Sequence, residues 1–501
     1  MKFQLLLLSA ILAFSLLSCK KNNNEVVRTL GDDATVYIDS LTVTNFETID
    51  IKASYVNNGV LPVYRRGICW SKNPDPIVAD SFRFIHIDSA FKNTIFNAGR
   101  RETFYFRAFI LSATDTVYSE NKANRTGSLE TVWDKEVTNG QYRSFLQVEQ
   151  TADNGFIGLL QGINTSLSTK YPALIKYDNS GNVQWSTSFY QTDYKEPNQL
   201  IISGNYYFFT STHYYYDGRG VYLSKIGSNG ALDWEKGFNR SKFQDFVRLS
   251  PLSGSQIMLS TRNYSGYNNG IMTDAFIHNF IIDYNGNVVT EDSVPVNTNF
   301  ALGGYTAIHT NTPNNGFLTN VQYYSPQASS WEIMLQQYDN TAQLQWEKLY
   351  ANGGSNYAIR AIINKDGHYT LLGSTHAVAG VQCNWLFALD KNNGTKFWDF
   401  KQHLFRHSLL TSQSPQSFRQ NNNGDYLVAS GGYEAGIVTK VSSTGLFRWE
   451  YFLPRLASFP NSGLNEIIVG TDNEFYLFGT RLTDQSAQST TLFIRKMKEY
   501  E

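Results

Sequence analysis

Chemistry at neutral pH needs a nucleophile, paired acids or a set of metal ligands at workable spacing, and this chain offers few local sets. His403 and His407 stand four residues apart, which on a helix would aim two imidazoles at one ion. They fall in a connection between repeats, with no nearby Cys, Asp or third His to complete a shell. No metal site is expected there. Gly-x-Ser-x-Gly, P-loop and His-Glu-x-x-His strings are absent from the sequence, which leaves no local signature for a nucleophilic hydrolase, a nucleotide enzyme or a zinc protease and no catalytic residue to name. Two carboxylates brought together from distant parts of the chain would leave no motif, so a glycan-active enzyme stands as one alternative. What the chain does offer is tyrosine. Tyr214, Tyr215 and Tyr216, Tyr264 and Tyr267, Tyr323 and Tyr324 with Trp331, and Tyr433 lie in the polar segments 211–220, 263–275, 323–331 and 431–436. A ring with a polar tip gives contact area at low entropic cost together with a hydrogen bond, which suits a glycan, peptide or protein surface.

The elements that must carry these residues are strands. Aromatic residues make up 15% of the chain, with 31 Tyr and 33 Phe, and long Ala/Leu/Glu/Lys stretches at helical spacing are missing, which is an all-β composition. Six tryptophans set a period. Trp133, Trp185 and Trp234 recur at intervals of about fifty residues, as do Trp346, Trp398 and Trp449, and Thr290 stands at the equivalent place in the gap between the two groups. Around each position an apolar run, a polar turn and a second run form a hairpin, as in ALIKYDNSGNVQW and LFALDKNNGTKFW, and Gly181, Gly230, Gly394 and Gly445 each stand four residues before a Trp. Seven further hairpins precede these, from TADNGFIGLLQ at 151 to GTDNEFYLFGT at 470. Two hairpins per period make four strands, one blade, and predict a seven-bladed β-propeller over residues 128–501.

The ends of that array fit together. The string LFIRKMK at 492–498 closes the last unit without a fourth strand, while LETVWDKEV at 129–137 is a fourth strand without a unit. Their pairing would remove the exposed edges of an open array. Short turns such as Asp153-Asn154-Gly155 and Asn179-Ser180-Gly181 would then occupy one face of the ring, and the longer Tyr-rich segments the other.

Before residue 128 the reading changes. Met1-Lys2, an apolar run to Leu17 and a small Ser18 before Cys19 form a signal peptide over residues 1–18, too short for the roughly 20 apolar residues of a spanning helix. LLSC resembles the lipobox of bacterial lipoproteins, which implies a diacylated Cys19 as the mature N-terminus and an outer-membrane lipoprotein facing the periplasm or the cell surface. Residues 19–33 are polar and aperiodic, a flexible tether. Residues 34–127 alternate apolar and polar in short runs, and RRGICWS at 65–71 with TFYFRAFILSATDTVYSEN at 103–121 resembles a fibronectin type III-like β-sandwich, with Trp70 and Tyr105 expected in its core. Cys69 and Cys383 are the other two cysteines, in different domains, and are expected as buried thiols. Forty-two basic residues against 43 acidic ones supply no basic field, so nucleic acid is not an expected partner.

The repeat as a whole, and FALDKNNGTKFWDF at 387–400 above all, resembles the tryptophan-docking repeats of quinoprotein enzymes and of outer-membrane-assembly propeller lipoproteins. The resemblance implies that Trp133, Trp185, Trp234, Trp346, Trp398 and Trp449 pack between blades. The metal-binding carboxylates, catalytic Asp and eighth blade of the quinone enzymes have no counterpart here, so no cofactor is implied. The expected protein is a lipid-anchored, two-domain binding protein of the cell envelope, whose propeller presents its aromatic face to a glycan, peptide or envelope protein. A non-catalytic scaffold in an outer-membrane complex is the other alternative to the glycan-active enzyme.

Overall fold

The computed structural model describes residues 34–500 apart from 46–47, 58–61, 86–89, 96–101, 113–114, 126, 138–141, 165–168, 190–193, 216–217, 253, 269–270, 274–275, 296–316, 326–329, 340–342, 379–380, 402–412, 433–435, 454–461 and 483–489. Cys19 with its signal and tether, Tyr216, Tyr433, His403 and His407 lie outside the described residues. Every regular element among the described residues is a strand, and the chain divides near residue 126 into two compact units.

The smaller unit holds two sheets. Ala34–Asn45, Thr48–Asn57 and Ala90–Ile95 form one; Ser81–Ile85, Arg65–Ser71, Thr103–Leu111, Thr116–Tyr118 and Lys122–Arg125 form the other. Period-two alternation places Val36, Ile38, Ile49 and Ile51 from the first, and Ile68, Phe104, Phe106 and Ala108 from the second, in one core. Trp70 packs against its edge. Tyr105 does not enter it, because it alternates with the buried Phe104 and Phe106 and so falls on the opposite face. Cys69 is a buried free thiol, and so is Cys383 in the larger unit. Burial pushes the two up to about 12 and about 11, which leaves them without nucleophilic thiolate at neutral pH.

The larger unit is a succession of antiparallel meander sheets of the β-propeller type, here lettered in chain order. Sheet A consists of Tyr142–Gln150, Phe156–Asn164, Thr169–Tyr177 and Val183–Ser188; sheet B of Lys195–Ser203, Tyr206–Tyr215, Gly218–Ile226 and Leu232–Gly237. Sheet C contains Phe243–Leu252, Gln256–Tyr264, Phe276–Asp283 and Val288–Pro295, and a single parallel bridge between Arg219 and Phe243 links it to B. Phe317–Ser325, Ser330–Tyr338 and Leu344–Tyr350 are the described strands of D. Sheet E runs Asn356–Ile363, Tyr369–Val378, Val381–Leu389 and Lys396–Lys401; sheet F runs Gln413–Gln420, Tyr426–Gly432, Gly436–Val441 and Phe447–Phe452. In sheet G the strands Ser462–Val469, Glu474–Leu482 and Thr490–Tyr500 are completed by Ser128–Val137 from the start of the unit. The pairing predicted for the chain ends is thus present, in register from Leu492 opposite Val137 to Tyr500 opposite Ser128.

Second and third strands are apolar on both faces because each sheet packs a neighbour on either side. Ile157, Leu159 and Leu174 of A meet Leu200, Tyr207 and Phe209 of B, and Phe145 and Phe156 of A meet Phe478 and Ile494 of G. Shared cores of the same kind join B to C, D to E, E to F and F to G. The repeated Trp and Gly explain each other. A Cβ on Gly181 of A would lie 2.7 Å from the ring of Trp133 on G; Gly230 of B faces Trp185 of A at 2.7 Å, Gly394 of E faces Trp346 of D at 2.8 Å, and Gly445 of F faces Trp398 of E at 2.6 Å. Each of these glycines also has positive φ, which the tight turn requires. Indole N–H groups donate to the same turns, Trp185 to the Ser228 carbonyl at 3.1 Å, Trp234 to that of Tyr284 at 3.1 Å and Trp346 to that of Lys391 at 2.9 Å. Trp449 of F meets no such turn on G, whose last two strands come from opposite chain ends, and donates instead to Glu499 Oε1 at 2.7 Å.

Candidate functional site

The long connections expected between second and third strands are mostly strand. In sheet B the second strand continues through Tyr215 and the third resumes at Gly218, with Tyr214 opposite Arg219. In E the ladder runs to Val378 and restarts at Val381, and in C the segment 263–275 carries a small extra hairpin of Gly266–Asn268 with Ile271–Thr273. The reason is local: Tyr, Thr and Val favour extended backbone, so these segments prolong the ladder rather than loop out. Alternation then sends successive residues to opposite faces, and the expected tyrosines are not all equivalent. Tyr264 is fully buried and stacks on Phe243, with centroids 5.4 Å apart and planes 10° apart, which corrects its reading as a surface contact. Tyr323 and Tyr324 sit on the strand opposite Glu332 and Trp331, and Tyr267 lies on the small hairpin. Trp331 is half-buried, its carbonyl accepting from Asn356 Nδ2 at 3.2 Å.

Tyr214 and Tyr215 are exposed, at 39% and 44%, and they have a structured setting. Tyr214 meets the Tyr194 ring edge-on at 5.0 Å, and its hydroxyl donates to Glu196 Oε2 at 2.8 Å while Lys170 Nζ donates to Oε1 at 2.7 Å. The Arg219 guanidinium lies 5.7 Å from the Tyr214 ring centre, and Lys170 Nζ 5.6 Å from that of Tyr194. Partial burial and the Glu196 carboxylate push the Tyr214 hydroxyl up to about 12, so it stays a donor throughout the physiological range. Tyr215 and Tyr222 share a hydrogen bond of 2.6 Å, and Tyr222 stacks flat on His213 at 3.7 Å. Tyr214 and Tyr215 are successive strand residues and so face opposite sides of the hairpin; on the Tyr214 side an exposed ring beside Arg219, Lys170 and Glu196 can stack on an apolar ligand face and hydrogen-bond its edge.

His213, which stacks on Tyr222, is buried, and burial with the neighbouring Lys195 ammonium lowers it from 6.5 to about 4. Between those values the folded protein binds fewer protons than the unfolded chain, so stability falls as pH drops from about 6.5 towards 4. The loss expected from this group is roughly 3 kcal/mol. Chemical denaturation at stepped pH checks it: His213→Phe keeps the stack and is expected to flatten the slope, and an unchanged slope would assign it elsewhere.

A second polar assembly went unseen at the sequence level. The first strands of A, B, C, E, F and G each contain a β-bulge, and the residue following it is Gln147, Gln199, Arg248, Arg360, Ser417 and Glu466 in turn. Gln147 Oε1 accepts from the Leu200 amide at 3.0 Å, and Gln199 exchanges two bonds with the backbone of Leu249. Arg360 grips Glu466 with Nη1 at 2.9 Å and Nη2 at 3.0 Å and donates to Ser417 Oγ, which itself donates to Glu466. Arg419 reaches Glu466 and Glu149, each at 3.4 Å. The first strands of these sheets therefore converge, A meeting F and G as well as B. Their available signal was a polar residue flanked by apolar ones, as Gln147 in FLQV, Arg248 in FVRL and Arg360 in AIRAII. Among the described residues no group of three or more His, Cys, Asp or Glu could hold a metal ion.

No protein-family model matches the sequence, and no curated protein matches it. Among solved structures, an acylaminoacyl peptidase of Pyrococcus horikoshii overlays with a TM-score of 0.40 at 11% identity, over 70% of this chain and 51% of that one. This chain thus spans about half the length of the peptidase. The β-propeller domain of the Trilobed protease from Pyrococcus furiosus gives 0.39 at 10% identity, over 72% and 94% of the two chains, and the polysaccharide lyase Uly1 gives 0.42 at 8%, over 74% and 99%. Strand pairing within the chain itself carries the fold reading.

Proposed function

We propose that the chain is a lipid-anchored binding protein of the cell envelope, tethered to the outer membrane through a diacylated Cys19. Residues 34–127, as a fibronectin type III-like sandwich, act as a spacer. Residues 128–501 form a seven-bladed propeller closed by strands from both ends, and the hairpin tip of sheet B takes the ligand. The carrying observation is the exposed Tyr214 framed by Lys170, Tyr194, Glu196 and Arg219, with Tyr215 exposed on the other side of the same hairpin. Rings to stack on and charged groups to hydrogen-bond a ligand's edge favour a glycan over a purely apolar partner. The dispersed-carboxylate enzyme fits less well: Glu149 and Glu466, the acids bridged by Arg419 on the first strands, are both engaged by arginines.

The test is a glycan array probed with the detergent-solubilised full-length chain beside a Tyr214→Ala, Tyr215→Ala double variant, with membrane fractionation of Cys19→Ser in parallel. Saturable glycan binding that weakens at least tenfold in the double variant, and release of Cys19→Ser from the membrane, are the expected results. Binding unaffected by the double substitution would move the site elsewhere. Silence across the array would overturn the glycan reading in favour of the scaffold, whose protein partner mild crosslinking would capture.

A further inference from the structure

The first turns of sheets E and F are latched together by side chains, and the equivalent latch between F and G is missing. Strand register makes Asn364, Lys365 and Thr370 of E the counterparts of Asn421, Asn422 and Leu427 of F, and Gln420 and Tyr426 of F the counterparts of Val469 and Phe475 of G. Between E and F, Asn364 Nδ2 donates to Thr370 Oγ1 at 3.2 Å and to Tyr426 Oη at 3.3 Å, and the Lys365 amide donates to Gln420 Oε1 at 2.8 Å. Between F and G all three acceptors are replaced by apolar side chains, those of Leu427, Phe475 and Val469. Asn421 keeps the bonds of its own turn, its Oδ1 accepting from the Asn423 and Asp425 amides at 3.0 Å and 2.9 Å. Its Nδ2 donates to no group among the described residues, although the residue is only 8% exposed. A cavity of about 290 Å³ lies at this place, lined by the three apolar residues together with Asn421 and Asn422. That is the low end of the roughly 300–1,000 Å³ of small-molecule pockets, room for one ring rather than a chain of them. No Lys or Arg lines it, and three acids do. Glu499 is engaged by Lys440 at 2.8 Å, Glu474 by Lys496 at 2.7 Å and Lys498 at 3.6 Å, and Asp472 is exposed in the turn.

We propose that this cavity binds a single neutral sugar residue, with its C–H face against Leu427, Val469 and Phe475 and its hydroxyls accepting from Asn421 Nδ2 and the Asn422 amide. Those hydroxyls supply what Thr370, Tyr426 and Gln420 supply one seam earlier. A buried donor without a partner costs free energy, which a ligand hydroxyl recovers. A pyranose has the required division into an apolar face and a hydroxyl edge, whereas acids on the wall with no cation beside them reject an acidic sugar. The site lies at the opposite ends of the strands from the hairpin tip of sheet B and stands whether or not that tip binds a glycan.

Saturation-transfer NMR titration of the detergent-solubilised full-length chain tests the assignment. The probes are the methyl pyranosides of D-glucose, D-mannose and D-galactose, with sodium D-glucuronate as the acidic control and tetrahydropyran as the ring without hydroxyls. The expected result is saturable millimolar binding of at least one neutral pyranoside and of neither control. Phe475→Tyr and Val469→Gln each install the residue that F carries at the same place, so each is expected to close the site, weakening binding roughly tenfold or more. Both are expected to melt no lower than the parent, because they add a latch found between E and F; should Phe475→Tyr fail to fold, Val469→Gln alone must still weaken binding. The Tyr214→Ala, Tyr215→Ala double variant is expected to keep this binding, which separates the cavity from the hairpin tip. Four results overturn the proposal: no saturable binding of any pyranoside, glucuronate or tetrahydropyran bound as tightly as the pyranosides, affinity unchanged in both latch variants, or binding lost in the double tyrosine variant.

Discussion

A chain ended at residue 489 is expected to lose cooperative folding of its larger unit, although only the final strand is removed. Thr490–Tyr500 pairs with Glu474–Leu482 on one side and Ser128–Val137 on the other, so its loss opens two edges at once. Leu492, Phe493, Ile494 and Met497 are buried, and giving up four such side chains costs roughly 6–12 kcal/mol at about 1.5–3 kcal/mol each. That equals most of the roughly 5–15 kcal/mol by which a folded protein is stable. Polar losses add to it. Trp449 forfeits the 2.7 Å bond to Glu499, and the buried Lys440 ammonium loses the same carboxylate at 2.8 Å, keeping only Asp425 at 3.4 Å. Thermal unfolding followed by circular dichroism, with limited proteolysis, checks this. A truncated chain melting cooperatively within a few degrees of the parent would show that closure contributes little.

That pairing was legible in the sequence because a fourth strand without a unit and a unit without a fourth strand are visible as a break in a period. The period itself was legible because Trp and Gly are coupled across sheets: the ring of Trp133, Trp185, Trp346 or Trp398 covers a turn that has no room for a Cβ. Where Thr290 replaces Trp, the equivalent residues of the next repeat, Asn340, Thr341 and Ala342, include no Gly. The hairpin tips were harder to read. Tyrosine in a polar segment looks the same whether the backbone loops out or extends a ladder, and only the observed register distinguishes exposed Tyr214 from buried Tyr264. Least visible were the residues after the bulges. A lone Arg248, Arg360 or Glu466 in an apolar run reads as an edge position, because a bulge shifts register by one residue and leaves no mark in composition.

Those residues set the second large effect. Glu466→Ala is expected to destabilise the protein by about 3–5 kcal/mol, the cost of leaving a buried pair with one partner missing. Its side chain is 1% exposed, it accepts from Arg360 and Ser417 and pairs with Arg419 at 3.4 Å, and its removal would strand the Arg360 guanidinium and leave Arg419 only its contact with Glu149. Geometry sets the contrast with Glu149, which is 31% exposed and holds Arg419 through one contact at 3.4 Å; Glu149→Ala should cost only about 0–1 kcal/mol. Replacing both members of the buried pair, Glu466→Leu with Arg360→Met, should restore much of the loss, because it removes the stranded charge as well as the ion pair. Urea denaturation of the single and double variants at fixed pH separates these terms. A single Glu466→Ala variant within about 1 kcal/mol of the parent would mean that water already screens the cluster.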